Sequence, residues 1–447
     1  MRNKLLKNLQ GSRYVLSLAL PVMGTQIANT MVQLVDTMFI GRIDALSLGA
    51  VALTGTLIWN FQMISEGFST GLTATISRRI GEKKPEKASE FLRTGLLSIL
   101  IFSLILLPLV YFGSEKLLSL IRVPEDLLTL GNSYFKTFMI FLPSIFGLTA
   151  IQAAFNASGE TKTTMKVSIM MNIINIIMDW ALIFGHLGLP ALGIAGAAYA
   201  SGISFTFGFI SLLFISFFRE WSPLKGSIIY SWKHLKLIVK IGIPALISNM
   251  AMAISQMLVM VLAVTPLGSL SLGAFNIVMK LASVSFMPGF GFAIAASTST
   301  GQSLGEGNPL KARKMTMIAA FYCVLVMAII SITYFIIPDL MISMFTTDQI
   351  ILSMARDALR IYAIFAVFLA PAMVFGGTIR GAGDTTFAMV VMLISRFILR
   401  LPAAWILGIY FDGGLTGVWL AMCLDFLVRG AIMWLRFKGG KWEKAVA

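Results

Sequence analysis

Between Pro21 and Arg42 an apolar stretch carries Gln26, Asn29, Gln33 and Asp36. Spacings of three, four and three put all four on one face of a helix. A second stretch repeats the pattern, with Ser168, Asn172, Asn175 and Asp179 recurring at four, three and four. A carboxylate in hydrocarbon is costly, so an acid inside such a stretch faces protein or water and marks a functional site unless a structural role claims it. For Asp36 the structural role is an N-cap on the turn from Gly41 to Ser47, or a pair with Arg42. Against both, Asp36 lies about one turn inside the outer end of its stretch. Glu66, in the second apolar window, is a candidate third acid within the spans of the same half. Two carboxylates held together away from bulk water can exchange a proton. They can alternatively hold Na⁺, with Asn175 and hydroxyl or backbone oxygens completing a hard-oxygen shell. Asp36, Asp179 and Asn175 are thus metal ligands only in the Na⁺ case.

The second half carries the opposite sign, with Lys280, Arg396, Arg400 and Arg429 against the single deep acid Asp425. Asp425 and Arg429 are spaced to pair on one helix, and Arg396 lies at similar depth, so these three read either as a structural cluster or as functional charge. Lys280 has no sequence-local partner; it points into a cavity or snorkels to the headgroups. When Pro21 is set on Pro244, Gln26 falls on Asn249 and Gln33 on Gln256, but Asp36 falls on Val259. Both halves keep a polar stripe and only the first keeps its acid. Gln26, Asn29, Gln33, Asn172, Gln256 and Lys280 are the candidate substrate-cavity residues. Pro21 removes the helical partner of the Ser17 carbonyl and is a candidate bend, whether static or coupled to protonation of Asp36. Some of the 27 methionines are expected to soften a surface for varied apolar ligands, although most serve as packing.

The elements that must position these residues are membrane spans. The chain is 57% apolar and 12% charged, with a mean hydropathy of +0.86, which excludes a soluble protein and points to an all-α polytopic membrane protein. Apolar windows long enough to cross a bilayer recur about twelve times, near residues 14–40, 48–77, 94–113, 127–155, 167–185, 194–218, 241–264, 272–300, 315–337, 350–378, 387–410 and 415–437. The net charge of +15 is an orientation signal rather than a nucleic-acid footprint. Arg78, Arg79, Lys83, Lys84 and Lys87 in one loop, and Lys233, Lys236 and Lys240 in another, mark the cytoplasmic side together with both termini. The same loops suit membrane lipid headgroups. Cys323 and Cys423 fall inside spans and read as packing residues. The chain lacks a phosphate-binding Gly-x-x-x-x-Gly-Lys loop, a His-Glu-x-x-His pattern and a nucleophile with its base, so no enzyme and no cofactor is expected.

An internal repeat displaced by about 224 residues divides the chain into two six-span halves. Ser47-Leu48-Gly49-Ala50 returns as Ser271-Leu272-Gly273-Ala274, and Gly81-Glu82 returns as Gly305-Glu306 ahead of Pro85 and Pro309. Ser158-Gly159-Glu160-Thr161 returns as Ala382-Gly383-Asp384-Thr385, and Gly193 to Gly196 as Gly414 to Gly417. Six is even, so the repeat is parallel, with a pseudo-twofold axis along the membrane normal. Such repeats typify secondary transporters. The expected organisation is an N-lobe over 1–218, a cytoplasmic linker over 219–240 and a C-lobe over 241–447.

Val35-Asp36-Thr37-Met38-Phe39-Ile40-Gly41-Arg42, the two Gly-Glu loops, Gly159-Glu160-Thr161 and Gly381-Ala382-Gly383-Asp384-Thr385 together resemble the multidrug and toxic compound extrusion (MATE) family over nearly the whole chain. The resemblance implies twelve transmembrane helices in two pseudo-twofold-related six-helix lobes. It also implies export of organic cations in antiport with H⁺ or Na⁺, from the plasma (inner) membrane, by a monomer. Within the family the chain is most similar to the DinF-like branch, whose N-lobe ion site maps onto Asp36, Asn175 and Asp179, with Ser201 as the matching hydroxyl from span six. The acids that the NorM-like branch carries in spans seven and ten have no deep counterpart here. The alternative that the wider superfamily implies is a lipid-linked oligosaccharide flippase, for which the basic second half would suit a pyrophosphate.

Overall fold

The structure is a computed structural model describing residues 2–120, 124–225 and 230–445, and all regular structure among them is helical. The chain opens with α1 (Arg2–Gly41), α2 (Ala45–Gly81) and α3 (Pro85–Leu120), followed by α4 (Glu125–Met139), α5 (Leu142–Ser158), α6 (Thr161–Phe184) and α7 (Ile194–Phe217). After a linker come α8 (Trp232–Val259), which runs on through a π turn at Met260–Val264, then α9 (Ser269–Gly305), α10 (Pro309–Ile336) and the short α11 (Pro338–Ser343). The last stretch holds α12 (Gln349–Ala366), α13 (Leu369–Gly381), α14 (Thr385–Leu393), α15 (Leu401–Trp405) and α16 (Gly414–Gly439). Flanking α15 are π-helical segments at Ile394–Arg400 and Ile406–Tyr410. The linker expected over 219–240 is already helical from Trp232.

Among the described residues ten helices are long and apolar enough to cross a membrane, and the count reaches twelve when α4 with α5, and α12 with α13, are each taken as one broken span. The bends are 50° and 48°, and proline explains both. Pro143 and Pro371 lack an N–H and crowd the carbonyl four residues back, which belongs to Met139 in one case and Val367 in the other, where the preceding helices stop. Pro21 acts differently, because α1 continues as one helix through it.

The chain forms two compact units, Gly24–Gly242 and Met1–Met23 with Ile243–Ala447. In the first, α2 packs on α3, α4 and α5, while α7 packs on α4, α5 and α6. In the second, α9 packs on α10, α12 and α13, while α16 packs on α12, α13, α15 and the π segments. The repeat is therefore one packing scheme used twice. The first span does not lie wholly in the N-terminal unit, as the expected lobe boundary had it. Val15, Leu18 and Ala19 join the apolar core containing Phe292 and Ala295, and the Tyr14 hydroxyl donates to Gln302 Oε1. Gly291 leaves room for this: a Cβ there would sit 2.9 Å from the Ala19 carbonyl oxygen.

Candidate ion-coupling site

In the N-terminal unit the site rises from α1, α6, α7 and α4. Helix α6 starts after Gly159 (φ 92°) and stops at Gly185 (φ 77°), left-handed positions that glycine takes without strain. One face of it buries Ser168, Asn175 and Asp179. Helix α7 comes close because it is notched. A Cβ on Gly196 would lie 2.4 Å from the Leu182 carbonyl oxygen, and one on Gly202 would lie 2.0 Å from the Phe141 ring.

Helices α1 and α6 meet at two levels. Asn172 Nδ2 donates to Asn29 Oδ1 at 3.3 Å. Seven residues further along each helix, the carboxyls of Asp36 and Asp179 stand next to each other. A shared step of seven means that the two helices run parallel along this seam. Two neighbouring carboxylates repel each other, and a single proton or cation between them relieves that repulsion. Asp179 is fully buried, and its Oδ1 has no hydrogen-bond partner. Asn175 bridges outward: with its amide oriented to satisfy its neighbours, Nδ2 donates to Asp36 Oδ1 at 3.2 Å and Oδ1 accepts from the Ser201 N–H at 3.3 Å. Turning the amide over presents its oxygen to Asp36, which is what a bound cation requires. Asp36, Asn175 and Asp179 thus fit either a proton or a hard cation, and Ser201 reaches the site through its main chain.

Sequence reasoning missed Tyr134 on α4, a largely buried phenol within electrostatic reach of both carboxyls. Its only signal was a single phenol in its span, among polar neighbours such as Asn132 and Lys136 that do not mark it out. Gln26 and Gln33 sit on the α1 stripe, half-buried and exposed respectively. No hydrogen bond or ion pair joins the exposed Glu66 of α2 to the acid pair among the described residues.

The other two cavity candidates lie in the C-terminal unit. Gln256 Oε1 accepts from Arg400 Nη2 at 2.6 Å, and the exposed Lys280 holds its Nζ 5.8 Å from the centre of the Phe345 ring. Asp425 is fully buried and faces Arg396 Nε at 3.7 Å and Arg429 Nη2 at 3.6 Å. The Ser395 hydroxyl donates to its other oxygen.

The MatE family profile matches residues 21–181 and 244–406, so both copies begin on the aligned prolines. A probable multidrug resistance protein NorM of Thermotoga maritima is 29% identical over 96% of this chain and 93% of its own length. An uncharacterized transporter, YisQ, of Bacillus subtilis is 27% identical over 92% of this chain and 91% of its own. Among solved structures, a MATE transporter of Vibrio cholerae matches with a TM-score of 0.91 at 20% identity, over 98% of this chain and 99% of that one. A MOP superfamily transporter of Pyrococcus furiosus, described as having a binding pocket of reverse polarity, matches with a TM-score of 0.89 at 20% identity, covering 96% and 95%. The structures share the fold, and the profile covers most of the chain in two copies: this multi-pass membrane protein belongs to the MatE family of multidrug and toxic compound extrusion transporters.

Proposed function

We propose that the chain is a secondary active exporter of organic cations, driven by H⁺ or Na⁺ entering at Asp36 and Asp179. The observation that carries this reading is the contact between those two carboxyls, bridged by Asn175 to the α7 main chain. A pair that holds a single negative charge attracts either a small ion or a cationic substrate and cannot satisfy both. Ion entry from outside then discharges the pair and expels the substrate, and ion release to the cytoplasm restores it. Each net charge moved inward through 100 mV contributes roughly 2.3 kcal/mol. Asn29 and Asn172, one level below on the same seam, together with Gln26 and Gln33 on the α1 stripe, supply neutral hydrogen-bonding groups for the substrate. The relatives named as probable multidrug resistance proteins support drugs as that substrate. In this reading both termini face the cytoplasm of a plasma membrane, because the basic loops after α2 and before α8 carry the orientation signal.

The test is ethidium efflux from cells under an imposed pH gradient and, separately, an imposed Na⁺ gradient, for the wild type and Asp36→Asn. Efflux driven by one gradient and lost in the variant identifies the coupling ion. Efflux that ignores both gradients sinks the reading.

A lipid-linked oligosaccharide flippase is the second reading, favoured by the positive charge of the C-terminal unit. Arg396, Arg400 and Arg429 are nearly fully buried, so of these four cations Lys280 is the one open to a large headgroup. Growth of a flippase-depleted strain on this chain would turn the assignment to that activity.

A further inference from the structure

The C-terminal unit buries more positive charge than it balances. Arg396, Arg400 and Arg429 are 2%, 1% and 6% exposed, and the carboxylate among them is Asp425. Arg380, at the end of α13, adds a fourth guanidinium within electrostatic reach of Arg429. The remaining partners are neutral: Gln256 Oε1 on Arg400 Nη2, Met392 Sδ at 3.3 Å on Arg429 Nη1, and the Ser395 hydroxyl on Asp425. No second carboxylate comes within ion-pair distance of these arginines among the described residues.

The ion pairs are loose as well as unbalanced. The two guanidinium nitrogens nearest Asp425 Oδ2 stand at 3.6 and 3.7 Å, outside hydrogen-bond range for an N–H donor. Asp425 Oδ2 and the Nε atoms of Arg396, Arg400 and Arg429 are all buried without a hydrogen-bond partner. Native proteins rarely leave four charged polar atoms of one cluster unsatisfied, and an unbalanced buried charge is retained when something outside the chain completes it. Arg396 and Arg400 both ride on the π-helical segment Ile394–Arg400, a backbone form that recurs at functional sites. The guanidinium fork matches an anion's acceptors.

We infer that Arg396, Arg400 and Arg429 form a binding site for a small monovalent anion, held beside Asp425 within the C-terminal unit. The site takes a halide or a compact oxyanion such as nitrate, because the arginines are too enclosed for a headgroup. It is independent of the acid pair and of what the protein exports.

The test is thermal unfolding of the purified full-length protein at constant ionic strength, titrating sodium chloride or sodium nitrate against sodium gluconate. The expected result is a saturable rise in Tm with the small anions and none with gluconate. Arg400→Gln should move the midpoint at least tenfold to higher concentration. Asp425→Asn removes the fixed counter-charge, so it should bind the anion more tightly and depend on it more, with a wider Tm gap between nitrate and gluconate than the wild type. It also keeps the test alive if Arg400→Gln fails to fold. A Tm that follows ionic strength whatever the anion overturns the proposal. So does an anion effect with the same midpoint in the wild type and both variants, which would locate the binding elsewhere.

Discussion

Gly196 in the N-terminal unit and Gly417 in the C-terminal unit perform the same task. Each lets a helix pass close to the main chain of the preceding span, so that a Cβ would fall 2.4 Å from the Leu182 carbonyl oxygen in one case and 2.1 Å from that of Leu407 in the other. Pro143 and Pro371 break corresponding spans by nearly equal angles. Around this shared frame the buried charge is reversed, with two carboxyls and an asparagine in one unit and three arginines about one carboxylate in the other. The packing scheme depends on backbone approach and helix breaks, which tolerate little change. The polar residues between the helices are held by the frame without building it, and they are free to diverge.

The largest effect should separate the two units by the kind of failure. Asp36→Asn and Asp179→Asn should each cut gradient-driven efflux by about a hundredfold, or about 2.7 kcal/mol, while the protein still elutes as a folded species. Asp425→Asn, in low concentrations of small anions, should instead cost about 3–5 kcal/mol of stability by leaving buried arginines unpaired. Folding loss at Asp179 with transport loss alone at Asp425 would invert the comparison. Next in size, Gly196→Ala and Gly417→Ala should each destabilise by about 1–3 kcal/mol in thermal unfolding, because carbonyls rather than flexible side chains stand in the way. Strongly unequal losses would break the claim of a common frame. Smaller again, Lys83 has φ 56° where the repeat has Gly307 at φ 70°. Lys83→Gly should therefore raise stability by at most about 1 kcal/mol, relief of the left-handed backbone outweighing the added entropy of the unfolded chain.

The smallest effect concerns Asp44, which caps α2 by accepting from the Ser47 N–H at 2.6 Å and the Ser47 hydroxyl at 2.9 Å. Those bonds hold its carboxyl below the usual range. Its stabilisation is present above the unfolded value and fades as pH falls through the lower folded one. Asp44→Asn should flatten the acid limb of the stability profile slightly and leave neutral pH nearly unchanged. The repeat has Gly268 at this position, with no side-chain cap, so the start of α9 should contribute no equivalent limb.

The acids, the stripe and the repeat were legible in the sequence because the bilayer makes each conspicuous: a carboxylate in an apolar window needs a reason, and so does a recurring loop. Asn175 and Asp179 could be placed on one face because helical spacing fixes which side chains of a helix point together; their grouping with Asp36 came from the family resemblance. Tyr134 was not legible, since its place beside the acids follows from how α4 packs on α7. Ser201 was found for its hydroxyl and contributes its main chain, which no residue type announces. The bends escaped because Pro143 and Pro371 sit inside windows that hydropathy reads as unbroken. The positive excess of the second half was visible as composition. Its concentration on one carboxylate depended on the π segment that brings Arg396 and Arg400 to α16.

The division of α1 bears on how the protein is assembled during translation. Val15, Leu18 and Ala19 are made early, yet the core they join includes Phe292 and Ala295 of α9, which follows the entire N-terminal unit in the chain. Until α9 enters the membrane, the foot of α1 must be sheltered by lipid or by the insertion machinery, while its other end can already meet α6. A segment made before the whole N-terminal unit is thus packed only after it, and a ribosome that stalls before residue 269 leaves a completed N-terminal unit with an unclaimed helix end.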